Sequence, residues 1–330
     1  MSEQRSDQNR DHDRDHPELV TMGETMALLT HEDSTPLRHA RSLDLGVGGS
    51  ESNVAIAAAR LGISTAWIGR VGDDEFARMV VRELRAEGVR TYASVDQSRP
   101  TAIMIKGART SLSTHVIYYR QNSAGSALGP DDVDAAVLRN AKVFHTSAIT
   151  PALSSTAMEA VHKAIEVCRT SETLVSVDLN FRKALWSEAE ARGEFRLLAS
   201  KADIVFATES EARIACDASD ATAMAHELAS LGGGKAVVKR GELGAVASIG
   251  GLEHIVEAVP VVAVDPVGAG DAFAAGYLAA SIRGRDATEA LRWAALMGAW
   301  SVSTHGDWQG LPRLEELETL LDSSRDDVNR

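Results

Sequence analysis

The chain has 330 residues, too many for one small module, and 44 % of them are hydrophobic, enough to bury a sizeable core. Charged residues make up 25 %, an ordinary globular share that excludes a mainly disordered, collagen-like or coiled-coil chain. The 34 basic residues stand against 47 acidic ones, a net charge of −13 that repels nucleic acid and anionic membrane. An anionic small-molecule substrate would then need a local basic pocket. Cys168 and Cys216 are the only cysteines, with no CxxC spacing, so a disulfide framework is excluded and a reducing cytoplasm is expected. The most apolar stretch, Ala258 to Ile282, is broken by Asp265, Pro266 and Asp271 and spans no membrane. Residues 1–18 lack an apolar signal region and read as a disordered polar tail; 323–330 read as a polar C-terminal tail.

In chain order, Glu18 to Leu29 reads as a first strand. Ser50 to Leu61 has helical apolar spacing and ends at Gly62, as a helix stop does. Ala66 to Val71 is a short apolar strand, and Asp73-Asp74-Glu75 opens a helix running to about Glu87. The β-rich runs Thr101–Ile105 and Thr114–Tyr119 predict an antiparallel hairpin outside the strand–helix rhythm, the material of a small lid built from about 30–47 and 100–121. Strands at Val143–Thr146, Leu174–Leu179, Ile204–Ala207 and Ala236–Lys239 follow, with helices at Ser154–Arg169 and Ala189–Ala199. Val246–Ser248 and Ile255–Val259 predict an antiparallel pair, and helices at Asp271–Arg283, Thr288–Thr304 and Leu314–Leu321 close the chain. Such alternation predicts a three-layer α/β fold with a mainly parallel sheet, in one large domain over 19–322.

The most informative string is Asp265-Pro-Val-Gly-Ala-Gly-Asp271. Gly268, Ala269 and Gly270 are small enough to let successive backbone N–H groups converge on an anion at a helix N-terminus. Asp271 then stands where a carboxylate could take a proton from an attacking hydroxyl. A nest beside a base is what phosphoryl transfer requires; a turn closed by a capping aspartate would use the same residues structurally. The string GVGGSES at 46–52 lacks the full GxGxxG and so argues against a nicotinamide dehydrogenase.

The segment DPVGAGDAFAAGYLAA resembles the C-terminal signature of the ribokinase, or PfkB, sugar kinases, and residues 46–80 resemble their N-terminal signature. The likeness runs from about Val20 to Pro312. Within the family, YYRQNSAGSAL (118–128), TSAITPALS (146–154) and DLNFRKALW (178–186) look most like 2-keto-3-deoxygluconate kinases. The resemblance implies a ribokinase-like fold and ATP-dependent phosphorylation of the terminal hydroxyl of 2-keto-3-deoxygluconate, or its galactonate epimer, to the 6-phosphate. Asp271 would be the general base, with Gly268 to Gly270 as the anion hole. Gly48, Gly49 and Asn53 match the sugar-binding turn. Tyr118 and Arg120 match positions that contact the acid, on one side of a strand because they are two apart; Arg182 is the second expected cation and Asp307 a substrate-side carboxylate. Lys239, Gly241 and Gly244 match the nucleotide-binding strand end. Thr208 and Glu211 stand in an N-x-x-E position, with threonine for the usual asparagine, and Glu211 would help hold Mg²⁺ through water. The resemblance further implies a monovalent cation near Asp265, and the exposed edge of the lid hairpin predicts a homo-oligomer formed through the lid. Met104 replaces a tyrosine that can line the sugar pocket, and Ala295 an asparagine near adenine. The alternatives are another sugar kinase of the family (fructokinase, ribokinase or 5-dehydro-2-deoxygluconokinase) or a non-catalytic sugar sensor; the intact GAGD argues against the sensor, which needs no base.

Overall fold

The computed structural model describes residues 16–31, 35–110 and 113–328. The expected N-terminal tail therefore lies outside the described residues up to residue 15. Glu18, placed at its end, is part of the folded domain: its carboxylate accepts from the Ser64 amide and from Lys142 Nζ at 3.0 Å.

Among the described residues, thirteen strands form two sheets. β1 (Leu19–Met22), β4 (Thr65–Gly72), β5 (Arg90–Asp96), β8 (Val143–Ser147), β9 (Leu174–Asp178), β10 (Ile204–Thr208), β11 (Lys235–Lys239), β12 (Ala245–Ile249) and β13 (Leu252–Val256) make a nine-stranded sheet in the order β13-β12-β11-β10-β9-β8-β1-β4-β5. All neighbours from β11 to β5 pair in parallel, and β12 and β13 add an antiparallel edge. β2 (Met26–His31), β3 (Asp44–Gly48), β6 (Ile103–Thr110) and β7 (Ser113–Tyr119) make a four-stranded sheet in the order β3-β2-β6-β7. β6 and β7 are the expected antiparallel hairpin.

The central strands of the large sheet are buried on both faces, and period-two alternation divides their side chains between two cores. Ile204, Phe206 and Val237 point into one core with α1 (Ser50–Arg60), α9 (Ala269–Ile282) and α10 (Ala287–Val302). Val205, Ala207 and Val238 point into the other with α5 (Ser155–Arg169), α6 (Glu188–Lys201), α7 (Glu209–Ala215) and α8 (Ala221–Leu231). Three layers result, as the alternation predicted.

Three expectations need correction. The run from Glu18 to Leu29 is not one strand: the chain leaves the large sheet at Gly23 and re-enters as β2 of the small one. A Cβ on Gly23 would stand 2.2 Å from the Glu51 carboxyl carbon, so only glycine allows that crossing. The two short strands are both buried, so their apolar residues read as one strand interrupted only by Gly23, Glu24 and Thr25. The edge strand β5 and helix α8 were unmarked in the sequence; β5 is only partly buried along most of its length and lacks the apolar run that marks its neighbours. The closing helix, expected to end at Leu321, runs from Leu314 to Val328, so most of the supposed C-terminal tail is helical.

Local chemistry sets the helix starts. Asp74, Ser154, Ser187, Thr208, Asp220 and Asp286 cap α2 (Glu75–Ala86), α5, α6, α7, α8 and α10 by accepting a backbone N–H, each worth about 1 kcal/mol. α1 and α9 start differently, at Gly49 and Gly268, with no side chain closing their first turns.

α9 and α10 lie backbone to backbone because of Gly276, where a Cβ would meet the Trp293 carbonyl at 2.8 Å and Met297 Cγ at 2.9 Å. Replacing Gly276 by leucine should force these helices apart and lower stability by about 1–3 kcal/mol, the usual cost of overpacking. Urea unfolding checks this; an unchanged midpoint would show that the contact is slack.

Candidate active site

The functional residues gather at the carboxyl ends of the parallel strands, where loops from several strands converge on helix N-termini. Asp178 ends β9, Thr208 ends β10 and Lys239 ends β11. The turn after β3 starts α1 at Gly49, and the segment from Asp265 to Gly268 starts α9.

Asp271, in the first turn of α9, is 9 % exposed and is held by side chains from α1. Ser50 Oγ donates to Oδ1 at 2.7 Å and Asn53 Nδ2 to Oδ2 at 2.9 Å. Asn180, which follows β9, donates through Nδ2 to Ser50 Oγ at 2.9 Å. Its φ of 27° lies in a region asparagine tolerates better than most residues, so this position favours that residue type. Burial lifts the Asp271 carboxyl to about 7, against the lowering effect of Ser50 and Asn53; Asp178 adds to the rise and Arg182 opposes it. A carboxyl poised there can accept a proton at neutral pH.

The loop that starts α9 is built on glycine. Gly268 has φ 85° and caps α9 without a side chain. A Cβ there would lie 2.3 Å from the Asp307 carbonyl, so the loop packs on Asp307 as only glycine permits. No side chain caps the first turn, where the Ala269 amide reaches the Pro266 carbonyl at 3.4 Å, and the helix dipole favours an anion there.

Asp178 and Lys239 form a buried pair, Nζ to Oδ2 at 2.6 Å. Burial disfavours the Lys239 charge, but Asp178, Glu211 and Asp271 more than compensate, and its pKa is raised. Lys239 Nζ lies 3.3 Å from where a Gly270 Cβ would be, so the ammonium adjoins the nest. Gly241 and Gly244 follow in the turn between β11 and β12. Thr208 and Glu211 are joined by a reciprocal capping box: the Thr208 amide donates to Glu211 Oε2 at 2.7 Å, while Phe181 N–H donates to Oε1 at 3.0 Å. With both oxygens already bonded, this carboxylate suits a metal that keeps its waters and takes further oxygens from phosphates. The described residues contain no cluster of acidic, histidine or cysteine ligands able to hold a metal unaided.

On the small-sheet side, Gly48 adjoins Asp307 and Met104: a Cβ would stand 2.9 Å from Asp307 Oδ2 and 3.0 Å from Met104 Cε. Asp307 is buried, which raises its pKa against the opposing pull of Lys106. Arg120, just beyond β7, lies 5.4 Å from the Tyr118 ring centroid. Its Nη2 pairs with Glu24 Oε2 at 2.6 Å, and Ser123 Oγ donates to the other Glu24 oxygen. Guanidinium has five donors, so this pair orients Arg120 without using it up. Arg182 is exposed and bonds its neighbour's Phe181 carbonyl at 3.3 Å; it reaches Asp271 through its field. Ala295 is buried on α10.

Sequence reasoning missed Glu24, Ser50, Asp178 and Asn180. Three lay inside or beside strings already singled out, in GVGGSES and DLNFR. Glu24 lay in the middle of the run read as one strand and carried no such signal.

The model of the pfkB family of carbohydrate kinases matches residues 16–314. The chain belongs to this family. Its members are phosphotransferases, and the fold is ribokinase-like. The chain is 38 % identical to a 2-dehydro-3-deoxygalactonokinase of Haloferax volcanii over 92 % of its own length and 96 % of the relative's. It is 35 % identical to a 2-dehydro-3-deoxygluconokinase of Thermoproteus tenax, over 97 % and 99 %. A solved structure of a putative ribokinase II from E. coli, in complex with ATP and Mg²⁺, superposes with a TM-score of 0.86 at 27 % identity, covering 93 % of this chain and 99 % of that one. Among the described residues, no helix is long and apolar enough to cross a membrane.

The raised Asp271 pKa has a consequence for stability. The group's ordinary value is 3.8 and its folded value about 7, so across that window the folded state binds more protons than the unfolded one. Stability should therefore fall as pH rises from about 4 to 7 through this group. Asp271→Asn should flatten that part of the profile, as read by denaturant titrations at several pH values; parallel profiles for the two proteins would show that the carboxyl is not strained by burial.

Proposed function

We propose that this kinase transfers the γ-phosphoryl group of ATP to the terminal hydroxyl of 2-keto-3-deoxygluconate, or its galactonate epimer, giving the 6-phosphate and ADP. The observation that carries the reading is Asp271, buried with a pKa near 7 and fixed beside the bare N-terminus of α9. The hydroxyl oxygen attacks the γ-phosphorus as its proton passes to the Asp271 carboxylate, and the bond from phosphorus to the β–γ bridging oxygen breaks. The N–H groups of Gly268, Ala269 and Gly270 stabilise charge on the transferring group, with Lys239 beside them.

Gly48, Gly49, Asn53 and Asp307 hold the sugar. Asn53 supports this role: its Nδ2 serves Asp271, while its Oδ1 is buried without a hydrogen-bond partner, an acceptor suited to a sugar hydroxyl. Tyr118, Arg120 and Arg182 receive the acid end; Arg120, aimed by Glu24, is the local basic group that an acidic protein needs for an anionic substrate. Thr208, Lys239, Gly241 and Gly244 line the nucleotide side. Glu211 helps hold Mg²⁺ through water, and the ion, when bound, neutralises phosphate charge. The residues present do not fit a monovalent cation at Asp265: Lys106 Nζ occupies Oδ2 and the Val267 amide donates to Oδ1. The apolar side chains Leu45 and Tyr119, both well exposed on the small sheet, support pairing of two copies there in a cytoplasmic oligomer. Sedimentation velocity giving only monomer would refute that pairing.

A neutral sugar would leave Arg120 without an anionic ligand, so turnover on 2-keto-3-deoxygluconate should exceed that on fructose or ribose. Arg120→Met should raise KM for the sugar acid by about 10–100-fold, the weight of a charge-assisted hydrogen bond. Higher kcat/KM on a neutral sugar, or an unchanged KM in the variant, would defeat the assignment of substrate. Asp271→Asn should lower kcat by about 10²–10⁴-fold, the usual worth of a general base. Equal, sugar-independent ADP release by both proteins would favour the sensor instead.

A further inference from the structure

Lys106 is the most deeply buried ammonium outside the machinery described so far, and the small sheet delivers it to the anion loop. It stands on β6 with its side chain 6 % exposed, and its Nζ lies 2.5 Å from Asp265 Oδ2 and 3.2 Å from Asp307 Oδ1. These carboxylates flank the nest on both sides. Asp265 opens the loop and bends it by accepting the Val267 amide at 3.1 Å, while the Asp307 backbone forms the surface on which Gly268 rests. Two buried carboxylates beside a site that must receive a polyphosphate are doubly unfavourable: each lacks water, and both repel the ligand. A cation is required between them.

We propose that the Lys106 ammonium is the resident cation of the anion loop, a tethered substitute that makes phosphoryl transfer independent of any free monovalent ion. The inference rests on the kinase reading but concerns a different residue. Lys106 touches neither the reacting hydroxyl nor Asp271, so it is a positioning residue. It fixes the loop's two carboxylates and, because it comes from β6, binds the small sheet to the nest. A soluble ion at the same place would neutralise the carboxylates without that attachment, and its occupancy would vary with its concentration. The tethered ammonium is always present.

A cavity of about 300 Å³ opens beside it, bounded among others by Leu28, His31, Asp265, His305 and Gln309. Shortening Lys106 would therefore connect the two carboxylates with a space that a small cation can enter.

The experiment compares the wild-type chain with Lys106→Ala in potassium, ammonium, methylammonium and tetramethylammonium chlorides at equal ionic strength, reading both initial rates and Tm. The wild type should respond equally to all four. Lys106→Ala should lose about 10–100-fold in kcat, the scale of a misplaced catalytic loop. Potassium, ammonium or methylammonium, but not tetramethylammonium, should recover much of that loss and raise the variant's Tm by several degrees, as binding to the folded state requires. A specific rise in wild-type rate or Tm with potassium would overturn the proposal, as would a variant that keeps full activity or one that no small cation restores. Should the variant fail to fold, the wild-type series decides alone. A wild type inactive on the sugar acid would defeat the functional reading, whereas the Tm series would still judge Lys106.

Discussion

A carboxylate buried at the start of a helix and held by a second helix is the constraint around which this molecule is arranged. Ser50 and Asn53 grip Asp271 across the interface of α1 and α9, and these helices pack in the same core. Both begin with glycine where their neighbours begin with a capping side chain. The stabilisation given up is of order 1 kcal/mol per helix by the usual value of a cap. In exchange, two sets of backbone donors open on the same cleft.

The charges around this cleft are balanced in pairs. Asp178 is matched by Lys239, Glu24 by Arg120, and Asp265 with Asp307 by Lys106. Asp271 is held by a hydroxyl and an amide with no cation in contact, and burial lifts its pKa to near neutrality. A lysine in contact opposes such a rise, as Lys106 does at Asp307, where burial still prevails.

Much of this was legible in the sequence. The layered α/β architecture followed from the spacing of apolar runs, and the GAGD string located the bare start of α9 and Asp271 together because the two are adjacent in the chain. What stayed hidden depends on distance in sequence. Glu24 meets Arg120 across 96 residues and Lys106 meets Asp307 across 201, and neither pair leaves a local pattern. The split of the first apolar run at Gly23 was invisible for a related reason: a strand that changes sheets keeps its hydrophobicity, and only the nearness of Glu51 explains the break.

That break has a mechanical meaning. Leaving the large sheet after β1, the chain builds β2 and β3 of the small sheet, and β3 passes through Gly48 and Gly49 directly into α1. The residues that grip the proton acceptor are thus the continuation of a strand in the cover, with no slack segment between. Any tilt of the small sheet is therefore passed as torque to the start of α1, where Ser50 and Asn53 hold Asp271.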